Sequence, residues 1–190
     1  MFLGTSAEFV RACGYELDAA LHCALAADLA MNLVDGFHDN RGACALWFKL
    51  GLGTWFSRRI DERWTLYASG TTLTFGDDSW KWVPRVRALV SNGFAVPWSK
   101  MLDWKKWEEI EAQDHMVLWS RVDWMLSRKD AHLRAFLAGI SDSLAGVPDE
   151  ERPSIELARQ VAALGNGLGG SPAELDEAWK QAVLKKPSRK

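Results

Sequence analysis

The chain has 190 residues, with 23 Lys and Arg against 25 Asp and Glu and a net charge of −2, a balance that lacks the basic excess used to bind nucleic acid or an anionic membrane surface. At this length one compact unit buries roughly 70 % of its unfolded surface, so no covalent or metal staple is needed to hold it. Cys13, Cys23 and Cys44 fit no metal-knuckle or disulfide spacing, no apolar run reaches ~18 residues and no basic-then-apolar leader opens the chain; the expectation is a cytoplasmic protein without a membrane span, its cysteines packed as small hydrophobes.

Residues 1–5 form a short apolar start suited to a strand, followed by a short helical stretch over 6–10. From 16 to 35 the leucines at 17, 21, 25, 29 and 33 recur every four residues among alanines, and Gly36 is a suitable stop. This pattern predicts a long, largely buried helix, with His22 and Ala26 on the face of Leu29 and Leu33. A loop holding His38, Asp39, Asn40, Arg41 and Gly42 leads into a second helix over 43–59. Gly51 and Gly53 are poor helix formers, and their expected use is close backbone approach to the first helix, which would set Leu50 near His22 and Ala26.

The period then changes. Residues 64–68 and 71–75 are rich in β-branched and aromatic side chains and flank Ser69-Gly70, which reads as a small β-hairpin or an extended loop. Asp77, Asp78 and Ser79 supply turn and capping groups before a short helix over 84–91, closed by Gly93. A further helix is expected over 103–112, with Trp104, Trp107 and Ile110 on its apolar side. His115, Trp119, Val122 and Leu126 make the next stripe, and Leu133, Phe136, Leu137 and Ile140 a similar one in the helix opened by Asp130.

An acidic connector over 148–153 precedes a helix over 155–164. Residues 165–170 read as a flexible glycine-rich loop. It is no phosphate cradle, because it follows a helix and lacks a Lys-Ser/Thr ending. Ser171-Pro172-Ala173-Glu174 is a capping box with Pro at the first helical position, and its helix puts Leu175, Trp179, Ala182 and Val183 on one face. The basic residues 185–190 read as a disordered tail. The expectation is one mainly α domain over 1–184, with at most a short N-terminal strand and the hairpin near 64–75.

Two stretches carry a family resemblance. Leu46-Trp47-Phe48-Lys49-Leu50-Gly51-Leu52-Gly53-Thr54-Trp55-Phe56 resembles the gluzincin metallopeptidase helix W-L-x-E-G-x-A-x-[YF]-F, with Leu50 where that family has its third zinc ligand. His22-Cys23-Ala24-Leu25-Ala26 stands where the family has H-E-x-x-H, with Cys23 at the general-base position and Ala26 at the second His. The stretch from His115 to Leu126 is similar to a later helix of such domains, with Trp119, Val122, Met125 and Leu126 in step. A catalytic zinc ion needs three protein ligands and an open position, and the adjacent carboxylate takes the proton of its water. With one ligand of three and no base, the resemblance implies a pseudopeptidase without zinc or any other cofactor, acting as a binding or scaffold module for a peptide or protein. His115 is the one residue at a position where active relatives can place an oxyanion-steadying group, and without a metal it reads as structural. Alternative readings are a divergent metal-dependent hydrolase using His22, His38, His115 and Cys23 or Cys44, and a helical domain unrelated to peptidases.

Among the 11 tryptophans, Trp47, Trp119, Trp124 and Trp179 sit at helical apolar positions and read as core. Trp64, Trp80, Trp82, Trp98, Trp104 and Trp107 crowd one region with Lys81, Lys100, Lys105 and Lys106. Trp80, Trp82, Trp98, Trp104 and Trp107 are the candidate lining of a peptide groove, with an extended peptide added as a strand to a sheet edge; core packing is the competing reading. Cys44 with His38 has no orienting third group that would make it a nucleophile and base. Asp77-Asp78 and Glu108-Glu109-Glu111 read as capping groups and solvated faces.

Overall fold

The computed structural model describes residues 17–37, 45–64, 81–128, 130–140, 147–148 and 150–185. Among these, α1 spans Leu17–Phe37, α2 Leu46–Ile60, α3 Trp82–Ser91, α4 Trp98–Leu102, α5 Ala112–Leu126, α6 Asp130–Ile140, α7 Arg152–Leu168 and α8 Pro172–Lys185, with a 3-10 turn at Trp107–Glu109. The described residues are mainly helical and contain no strand. None of their helices is long and apolar enough to cross a membrane. The strand over 1–5 and hairpin residues 65–75 lie outside the described residues, as do 186–190; Lys185, assigned above to the tail, is the last residue of α8.

The first helix is where expected, but its buried face is the other one. Ala20, Cys23, Ala27, Ala30 and Val34 are buried, at spacings of three and four residues, whereas Leu21, Leu25, Leu29 and Leu33 are 63, 53, 53 and 73 % exposed. The reason is how closely α2 approaches. A Cβ on Gly53 would lie 3.2 Å from Met31 Cγ and 3.4 Å from the Ala27 carbonyl oxygen, so the seam has room for alanine and not for leucine. Hydrophobicity alone selects the larger stripe; the interaxial distance selects the smaller.

Two contacts fix the register of this pair as antiparallel. The Cys23 thiol donates to the Ser57 carbonyl oxygen at 3.4 Å, and Lys49 Nζ meets Asp35 Oδ2 at 2.6 Å. Leu50 therefore lies across from the Val34 end of α1. His22 is about 18 Å away along the axis, twelve residues at ~1.5 Å each. Gly51 does not face α1: a Cβ there would come within 2.6 Å of Val122 Cγ2 and 3.1 Å of the Leu118 carbonyl oxygen. Gly51 and Gly53 point about 200° apart around the helix, so α2 lies between α1 on one side and α5 on the other.

A second close pair corrects the C-terminal reading. α7 does not stop at Leu164 but runs through Gly165, Asn166 and Gly167 to Leu168. A Cβ on Gly167 would sit 2.7 Å from Phe136 Cβ and one on Gly139 2.8 Å from Ala163 Cβ, so contact with α6 keeps in helix residues whose own preference is for a loop. The turn comes at Gly169, at φ +81°, whose N–H caps the Gly165 carbonyl at 2.9 Å. The capping box at Ser171 is present: its N–H donates to Glu174 Oε2 at 2.8 Å and its hydroxyl accepts the Glu174 N–H at 3.4 Å.

The helix expected over 103–112 is absent. Pro97 instead starts α4 earlier, burying Trp98, Met101 and Leu102, and the Glu109 carboxylate accepts the Lys105 N–H at 2.8 Å. That local bond offers the backbone an alternative to a helical ladder, and only a 3-10 turn forms.

Aromatic rings join the elements. Trp47 meets Trp98 edge-on at 5.8 Å and Phe48 meets Phe136 at 5.1 Å, which ties α2 to α4 and α6 in the offset geometry that aromatic quadrupoles favour. The Trp47 indole donates to Gln160 Oε1 at 3.0 Å, and the Trp179 indole to Ser120 Oγ at 3.2 Å.

Candidate functional site

His22, Ala26 and Leu50 do not form one site. His22 is exposed and Ala26 half-buried on α1, while Leu50 is fully buried and displaced along the seam as described above. Cys23 is also fully buried, and burial pushes its thiol up to about 11, the opposite of what a nucleophile or thiolate ligand needs. His38 and Cys44 lie outside the described residues. Among the described residues no three His, Cys, Asp or Glu side chains come together as a set of metal ligands.

His115 is buried on α5, and burial lowers it from 6.5 to about 4. Because the unfolded chain takes up this proton at higher pH than the folded protein, His115 contributes stability that is complete above pH 6.5 and is lost as pH falls toward 4. The loss is about 3 kcal/mol. Its neighbour Asp114 works in the other sense, since burial raises its carboxyl and acid relieves that cost. Comparing His115→Leu with the unsubstituted protein isolates the histidine. The expected result of denaturant titrations between pH 4 and 6.5 is a shallower fall in the variant; equal slopes would refute it.

The tryptophans are core more than groove. Trp82, Trp98 and Trp104 are buried at 1, 0 and 5 % exposure, Trp107 is half-buried, and Trp80 lies outside the described residues. A ring enclosed on all sides offers no face to a ligand, and no strand among the described residues gives an edge for an extended peptide.

The sequence reading missed a buried ionic hub. Arg121 is fully buried and its Nη2 donates to Asp176 Oδ1 at 2.5 Å and to the Val96 carbonyl oxygen at 2.7 Å. Its guanidinium lies 4.6 Å from the Trp98 ring and 4.5 Å from the Trp179 ring. Asp176 also accepts the Trp98 N–H, at 3.0 Å. Burial pulls Arg121 down to about 10, with Asp176 opposing the shift, so the cation persists at neutral pH. The available signal was positional: Leu118, Arg121, Val122 and Met125 recur at helical spacing, which puts a cation in an apolar stripe. With Arg121 fully buried and two indoles against its guanidinium, the hub ties α4, α5 and α8 together and is closed to ligands.

At the surface, Arg85, Ala88, Leu89, Asn92, Phe94, Gln113 and Met116 line a shallow hollow between α3 and α5. It brings together one cation and mostly apolar walls, without a nucleophile. The larger feature is the outer face of α1. At about 100° per residue, the centre of the leucine row lies about 160° from the buried alanine face. Asp18, His22, Ala26, Asp28, Asn32 and Gly36 complete this outward surface, which carries two carboxylates. No family model, curated protein or solved structure matches the chain.

Proposed function

We propose that the chain is a non-catalytic helical binding module whose working surface is the leucine face of α1. The observation that supports this reading is the outward row Leu21, Leu25, Leu29 and Leu33, each more than half exposed. A single exposed leucine needs no explanation, but a contiguous row marks an interaction surface. Leaving half or more of each side chain in water forgoes roughly 1 kcal/mol per leucine, which a partner that covers the row would recover. The buried hub and tryptophans hold the scaffold that presents the face.

Substituting both Leu25 and Leu29 by Gln tests the reading. On a free face, with protein dilute enough to be monomeric, the pair should change unfolding stability by less than about 1 kcal/mol, while uptake of a hydrophobic fluorescent dye by the native state falls. If the row were internal packing, the substitutions would cost at least about 2 kcal/mol each. A loss of that size would end the proposal.

A further inference from the structure

We propose that the leucine face is occupied by a second copy of this chain, with α1 packed antiparallel on α1 across a two-fold axis. This rests on the reading of α1 as a binding surface and names its partner. Leucines four residues apart form a ridge along one side of a helix, and such a ridge fits the groove beside an identical ridge on another helix. The row is therefore self-complementary, which a two-fold interface requires.

The polar residues choose the direction. The row is centred at position 27, so an antiparallel two-fold sets Leu25 against Leu29 of the second copy and Leu21 against Leu33. It lays His22 beside Asn32 and Asp18 beside Gly36. A parallel pair would place Asp18 on Asp18, opposing like charges. The chain's net charge of −2 gives little repulsion between copies, and the two carboxylates of the face, Asp18 toward its end and Asp28 at its edge, leave its middle apolar.

Area sets the strength. Each leucine offers on the order of 100 Å² of apolar surface. With flanking residues, a pair of copies would bury roughly 1,200 Å² in total, the lower end of specific interfaces. The association should be reversible.

Sedimentation velocity from about 1 to 200 μM should show a monomer–dimer equilibrium with a dissociation constant in the micromolar range. Leu25→Gln with Leu29→Gln should stay monomeric throughout. Direction is read with a short bismaleimide in a Cys13→Ser, Cys44→Ser background, where Cys23 is buried. Mixing Leu21→Cys protein with Leu33→Cys protein should give cross-linked dimer that neither gives alone. A wild-type chain that is monomeric at the highest concentration overturns the second copy as occupant, and leaves the binding face standing if the Gln pair is as stable as the parent. A dimer indifferent to the Gln pair, or cross-links within either single variant, also overturns it. Destabilisation of the monomer by the Gln pair instead removes the underlying reading.

Discussion

Asp176→Ala is expected to cost about 3 to 5 kcal/mol, the range for breaking a buried ion pair from one side. Arg121 has no solvent exposure and donates to Asp176 at 2.5 Å. Without the carboxylate, its charge would rest on the Val96 carbonyl oxygen, the Met101 sulfur and two indole rings. The Trp98 N–H would lose its acceptor as well. Exchanging both partners is a different experiment. Arg121→Met with Asp176→Leu removes the charge together with its need for a partner, and apolar replacements of similar volume are often neutral or better. The double variant should therefore be more stable than Asp176→Ala. Urea unfolding followed by tryptophan fluorescence measures both, and a loss below about 1 kcal/mol for Asp176→Ala would mean that the pair behaves as a solvated surface bridge.

Trp179→Ala is expected to cost a similar ~3 to 5 kcal/mol. The ring is fully buried, donates to Ser120 Oγ at 3.2 Å and covers one face of Arg121 at 4.5 Å. The loss combines apolar burial, a cavity and a cation–π contact. Trp179→Phe keeps a ring over the guanidinium and should lose less. Because Trp179 and Arg121 touch, their variants should not add, and a double-mutant cycle gives the coupling. A neutral Trp179→Ala in chemical denaturation would detach α8 from the core.

The sequence was most informative where one local rule acts alone. The capping box at Ser171, the apolar spacing of Leu175 and Trp179, and the helix opened by Asp130 all depend on neighbouring residues, and all are found. It misled where partners decide. α1 has two apolar stripes, and no rule internal to a helix says that the alanine stripe meets α2. Gly165 and Gly167 read as loop until Phe136 of α6 is seen to need the space at Gly167. Arg121 looks like an ordinary surface cation until Asp176, 55 residues later, is brought to it. The proposed surface was visible as a leucine repeat, but its direction was not, since repeat and burial are separate questions.

The seam between α1 and α2 also has a consequence for motion. Among the described helices α1 packs extensively only on α2, and Ala20 and Cys23 near its start form with Trp64 a small cluster apart from the main core. Alanines and a cysteine bury little area, so less free energy fastens this helix than holds α5, which is packed on several sides. In a structure whose stability is unevenly spread, the least fastened element opens first. α1 is thus expected to loosen first at its Ala20–Cys23 end, and anything that grips its leucines would also tighten its hold on the fold.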